Sequence, residues 1–141
     1  MAITVFADLD ALQAGVGKHL GYSDWLEITP ARVDDFALAT GAGAETEPYL
    51  ALSLSNYFLP QIVEVRGISM GINYGANQIR FPSSAAARAG SRVRAGAELV
   101  AADPVAGGVA GGVQAQIRIT VEIEGCEQPA CVIESLSRYL A

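Results

Sequence analysis

The stretch from Val113 to Glu124 constrains this chain more than any other. Gln114, Gln116, Arg118, Thr120, Glu122 and Glu124 alternate there with Ala115, Ile117, Ile119, Val121 and Ile123. Strand side chains point to opposite faces with a period of two, so the alternation predicts a long strand with one wet and one packed face. Such a strand cannot stand alone, because its apolar row needs a second layer to cover it. Further period-two segments at 68–74, 78–81, 92–102 and 130–140 supply the rest of an antiparallel sheet, and the glycine-rich stretch 103–112 predicts a flexible hairpin loop.

The covering layer comes earlier in the chain. The run 48–59 is apolar on nearly every side, which predicts a central helix buried all round, capped by Thr46 or Glu47 and ending near Pro60. Upstream, Thr29 and Pro30 suit a helix cap and first turn, Val33, Phe36 and Ala37 follow at helical spacing, and Gly41 supplies a stop. With no linker or internal repeat, these segments predict a single α+β domain over 1–141, an antiparallel sheet wrapped around a central apolar helix.

Composition narrows the partners. With 51% hydrophobic and 17% charged residues, disorder is excluded as the dominant state. Nine Lys and Arg against 15 Asp and Glu give a net charge of -6, which repels phosphate backbones, so no nucleic acid is expected. One histidine, His19, and two cysteines, Cys126 and Cys131, fall short of the about four ligands of a structural zinc site, and no metal is expected. Free thiols are the expected state, with a Cys126–Cys131 disulfide as the alternative. The longest apolar stretch is interrupted by Ser53, Ser55 and Asn56 and is shorter than the roughly 20 residues of a membrane span. The first residues lack the basic region of a leader, so a soluble cytoplasmic protein without a membrane partner is expected.

Several strings say more. They are Asp24-Trp25; Ile28-Thr29 with Val33, Phe36-Ala37 and Ala39-Thr40-Gly41; Asn73-Tyr74-Gly75 with Asn77; Arg80-Phe81-Pro82; Gly90-Ser91-Arg92-Val93; Glu134-Ser135; and Arg138-Tyr139. In this order, across almost the whole chain, they resemble the MaoC-like dehydratases, the (R)-specific enoyl-CoA hydratase family. The resemblance implies the hot-dog fold, a homodimer whose sheets join edge to edge, and an acyl-thioester tunnel between the central helix and the sheet. In that family an Asp after the Ala-Thr-Gly string and a nearby His hold the water that adds to the enoyl double bond. A backbone N–H at the start of the central helix stabilises the enolate oxygen. No cofactor is implied; CoA or acyl carrier protein would arrive as part of the thioester substrate.

This chain departs from the pattern where that chemistry belongs. Ala42 stands in the Asp position, the catalytic His is absent, and the loop leading to the helix is much shorter. Glu47-Pro48-Tyr49 replaces the usual His-Gly-Phe, and Pro48 lacks the N–H of an oxyanion hole. His19, placed ahead of the first helix, is expected to be a solvated loop residue. Glu47 is the candidate catalytic base, its pKa raised by burial; the other reading is a solvated acid favoured by a helix N-terminus. Tyr49, Asn56, Asn73, Tyr74 and Gly75 are the expected substrate-binding residues, with closure of strand edges at the dimer seam as the other role for Asn73 and Tyr74. Arg80, Arg88, Arg92 and Arg94 fit either a phosphate clamp or a solvated strand face, the latter preferred for Arg92 and Arg94. The expected function is altered lyase- or isomerase-type chemistry on an acyl or polyketide-like ligand, with hydration lost. The alternative is a non-catalytic binding subunit paired with an active hot-dog partner in a heterodimer; third comes a residual (R)-specific hydratase.

Overall fold

The longest strands form where the alternation is strictest. The computed structural model describes residues 3–41, 47–82, 87–105 and 111–141. In chain order its elements are β1 (Thr4–Phe6), α1 (Leu9–Ala14), β2 (His19–Tyr22), β3 (Leu26–Glu27), α2 (Pro30–Thr40), α3 (Glu47–Ser53), α4 (Ser55–Ile62), β4 (Val63–Val65), β5 (Met70–Arg80), β6 (Arg92–Pro104), β7 (Val113–Ile123) and β8 (Cys131–Leu140). Strands β2, β6, β7, β8 and β5 lie side by side in that order, and β3 pairs with β6 to complete a six-stranded sheet. All its ladders are antiparallel. A separate parallel pair, β1 with β4, ties the N-terminal segment to the end of α4.

Along β7 every second residue is buried, from Val113 to Ile123, and the residues between them are half-exposed. Its neighbour β6 buries Val93, Ala95, Ala97 and Leu99, and β8 adds Cys131 and Ile133. The opposite face carries ion pairs: Arg92 with Glu124 at 2.8 Å, Arg94 with Glu122, and Arg118 between Glu98 at 3.2 Å and Glu134 at 2.8 Å. Partly exposed pairs of this kind contribute at most about 1 kcal/mol each, so the buried row sets the register. Arg92 and Arg94 thus stand on the solvated face, and the guanidinium of Arg94 also lies 4.2 Å from the ring centre of Tyr22.

The covering layer differs from the expected single helix. Leu54 separates α3 from α4, and the Ser53 hydroxyl donates to the Leu50 carbonyl at 2.8 Å, a local bond that competes with the helix ladder. Pro60 lies inside α4 rather than at its end, and it has no N–H to offer the Asn56 carbonyl. Burial is one-sided too. Leu50, Ala51, Leu54, Phe58 and Ile62 pack into the core, whereas Tyr49 and Tyr57 remain more than half exposed. The apolar residues on the far side of this layer therefore face open space instead of protein.

The other expectations meet the structure piece by piece. Thr29 caps α2 by accepting from the Arg32 N–H at 3.1 Å, and Gly41 closes it at a φ of 72° that suits only glycine without strain. Segments 68–74 and 78–81 are one strand, β5, whose register shifts between Asn73 and Gly75 and again between Ala76 and Gln78. Those bulges interrupt the period of two and make one strand read as two. Asp103 and Pro104 belong to β6 and pair with β7, so the hairpin loop is shorter than expected. His19 does lie ahead of the helix α2 and is exposed, but it stands on the strand β2 rather than in a loop, with its ring 4.8 Å from that of Tyr22. The Thr46 cap and the Ala42 position lie outside the described residues.

Two measurements follow from this packing. Phe58 is fully buried, and Phe58→Ala should cost about 3–5 kcal/mol, seen as a lower urea midpoint. Both cysteines are free thiols, Cys126 exposed and Cys131 buried, and burial pushes the Cys131 thiol up to about 11. A thiol reagent at pH 8 should titrate one cysteine in the native protein and both after denaturation.

Candidate functional site

The open side of α3 and α4 faces β5 and the end of β8 across a cavity of about 830 Å³. Leu52 and Leu59 line it from the helices, Ile72 and Ile79 from β5, and Ile119 and Ile133 from the sheet. Phe36 reaches it from α2, a helix with no fully buried residue. The size falls within the range of small-molecule sites, and the walls have their usual mixture of apolar surface with a few polar groups.

Some of those polar groups are already engaged. Ser53 donates to the Leu50 carbonyl and Ser135 to the Ile117 carbonyl, each at 2.8 Å. Burial pushes the Tyr139 phenol above the ordinary tyrosine range, and the nearby Ser137 partly offsets that shift. Tyr139 therefore stays a neutral phenol at physiological pH. Asn73 donates from Nδ2 to Oδ1 of Asn56 at 3.3 Å, linking the edge strand to α4. Tyr49 meets Phe81 edge to face with ring centres 5.7 Å apart. Among the described residues that line the cavity, none is an Asp, Glu, His, Lys, Arg or Cys.

Of the residues singled out from sequence, Tyr49, Asn56, Asn73 and Gly75 line this cavity together. Tyr74 is not among the lining residues; its ring is stacked against the guanidinium of Arg138, 3.7 Å from the ring centre. Tyr74 stands where the β5 register shifts, between Asn73 and Gly75, which do line the cavity. Glu47 is the first residue of α3, whose Tyr49, Leu52 and Ser53 are cavity residues. His19 is on β2 and is not a lining residue. Sequence reasoning missed Ser135, Ser137 and Tyr139 as cavity residues. The signal was available: Ile133, Ser135, Ser137 and Tyr139 are every second residue of β8 and share one face.

Comparison with known proteins adds the following. No family model matches the chain. It is 38% identical over 153 aligned positions to 3-hydroxyacyl-thioester dehydratase Z of Mycobacterium tuberculosis, covering 96% of this chain and 98% of that protein. The alignment is longer than the 141 residues of this chain, so the relative carries residues that this chain lacks. Nodulation protein N of Rhizobium leguminosarum is 31% identical over 98 positions, 56% of this chain and 60% of that one. Among solved structures, a monoamine oxidase regulatory protein from Archaeoglobus superposes with a TM-score of 0.70 at 12% identity, over 100% of this chain and 99% of that one. The MaoC-like dehydratase of Rhodospirillum rubrum gives 0.63 at 11% identity, over 89% and 92% of the two chains. The (R)-hydratase of A. caviae gives 0.56 at 16% identity, over 89% and 96%. These superpositions show that the sheet and its covering helices form the hot-dog fold.

The buried phenol provides a direct check. Tyr139→Phe should remove the portion of the spectrophotometric tyrosine titration that appears at the highest pH.

Proposed function

Because the chain belongs to the MaoC-like dehydratase family, we propose that it binds an acyl thioester or a polyketide-like acyl chain in the cavity between α3–α4 and β5. In this reading the chain has given up water addition for lyase- or isomerase-type proton transfer. The observation that carries it is the open, largely apolar cavity of about 830 Å³. Its walls mix apolar surface with a few polar groups, the usual make-up of a small-molecule site.

Water addition needs a base to take the proton of water and an acid to supply the α-carbon. The described lining offers neither, and the resemblance puts Ala42 where the family carries its Asp. Glu47 at the start of α3 is the candidate base for removing an α-proton, which a thioester carbonyl acidifies. Tyr74 drops out of the proposed machinery because it is stacked on Arg138. A non-catalytic binding subunit is the second reading, and the same uncharged lining favours it.

A second copy, joined through β5, belongs to the proposal. This strand is exposed along all 11 residues and presents Met70, Ile72, Tyr74 and Ile79 to solvent. A long edge strand with apolar side chains calls for a cover. A homodimer supplies one, and a related hot-dog chain would supply it in a heterodimer. The described residues include no helix long and apolar enough to cross a membrane, and a cytoplasmic setting is part of this reading.

Native mass spectrometry of the purified protein with enoyl- and 3-hydroxyacyl-CoA thioesters should find a dimer with thioester bound. Incubation in deuterium oxide should label the α-carbon without forming a hydroxyacyl product, and Glu47→Gln should slow labelling by about a hundredfold. Hydration of crotonyl-CoA would sink the proposal. Binding without labelling would establish the subunit reading instead, and Glu47→Gln with undiminished labelling would remove Glu47 as the base.

A further inference from the structure

Helix α2 is the least secured wall of the cavity. Of its residues only Val33, Phe36 and Ala37 are half-buried, and the others are exposed. Val33 and Phe36 pack against the core, and Phe36 lines the cavity. Among the described residues, no hydrogen bond or ion pair joins α2 to another element. Its polar contacts stay within the helix and its caps: Thr29 Oγ1 accepts from the Arg32 N–H at 3.1 Å, Thr40 Oγ1 donates to the Phe36 carbonyl at 2.8 Å, and the Gly41 N–H donates to the Ala37 carbonyl at 2.9 Å. By contrast, α4 buries Phe58 and Ile62 in the core. Directly ahead of α2 the chain is clamped. Ile28 is fully buried, its N–H donates to the Ser91 carbonyl and its carbonyl accepts from the Gly90 N–H, each at 2.7 Å.

We infer that α2 is a lid on the cavity, hinged at Ile28–Pro30, with Phe36 as its plug: the helix swings out to admit an apolar chain and recloses over it. The inference rests on the reading of the cavity as a binding site and adds how a ligand gains entry. A segment with few buried apolar contacts opens at the low end of a protein's local stabilities. Here the only contacts to break are those of one apolar face, since no polar tie to another element opposes the motion. The Thr29 cap and Pro30 hold the first turn together, so α2 moves as one body about the clamp at Ile28. At the other end Gly41 has nothing within 4 Å of where a Cβ would stand, so the chain is free to change direction there. Phe36 shares the lining with Leu52 and Leu59, and lifting its ring out exposes apolar surface to water. The closed form is therefore favoured while the cavity is empty, and opening is transient.

Two measurements on the full chain test this. In hydrogen exchange read by mass spectrometry, the amides of α2 should exchange at least about tenfold faster than those of α4 in the free protein. In stopped-flow binding of the fluorescent fatty acid cis-parinaric acid, Phe36→Ala should raise the association and dissociation rates together by roughly tenfold, leaving Kd within about threefold of the parent value. Leu38→Ala, at a position on α2 that is 84% exposed, should change neither rate. Folding of both variants is checked by circular dichroism. Exchange of α2 as slow as that of α4, or an association rate untouched by Phe36→Ala, overturns the lid; a rise in the dissociation rate alone makes Phe36 an ordinary wall residue and also overturns it. Gated entry of cis-parinaric acid in a protein that binds no thioester keeps the lid and removes the thioester reading. Failure of cis-parinaric acid to bind at all overturns the lid together with the reading of the cavity as a site for an apolar chain.

Discussion

Without the apolar row of β7, neither the sheet nor the helices above it would have reason to assemble. That strand lies between β6 and β8, and its six buried residues face the space that Phe58 and Ile62 fill from α4. The row fixes the register on both sides, because a slip of one residue would turn Ile117, Ile119 and Val121 to water and bring Arg118 and Glu122 inward. The ion pairs on the outer face follow from that register rather than create it. The cavity follows as well: α3 and α4 commit one face to the core, and the other is left facing β5 across a gap.

The sequence was legible where periodicity and local chemistry agree. The strands β6, β7 and β8 and the capped helix α2 came within a few residues, because alternation, Thr29, Pro30 and Gly41 each act locally. It was less legible where the structure breaks its own pattern. Two bulges hid the unity of β5, and the run 48–59 concealed a break at Leu54 because each residue around it is a tolerable helix former. Uniform apolarity also suggested burial all round, when one face borders a cavity. That Asn56 and Asn73 meet depends on the bulge in β5 and the placement of α4, and nothing in their local spacing announces it.

Solved structures named as dehydratases or hydratases share the fold, and the described walls of the cavity in this chain carry carboxamides, hydroxyls and a phenol kept neutral by burial.

The two borders of the sheet are unequal. On one side β5 offers 11 residues of bare backbone; on the other, β2 with four residues and β3 with two leave a short, interrupted margin, itself offset between His19 and Gly21. A sheet with two long margins can keep adding copies and grow into a fibre. One with a single usable margin exhausts its capacity for strand addition in the first encounter, because a two-fold pairing through that margin hides it on both copies at once. In the proposed dimer through β5 this asymmetry would make assembly self-terminating, a safeguard for a chain that carries so much β-structure.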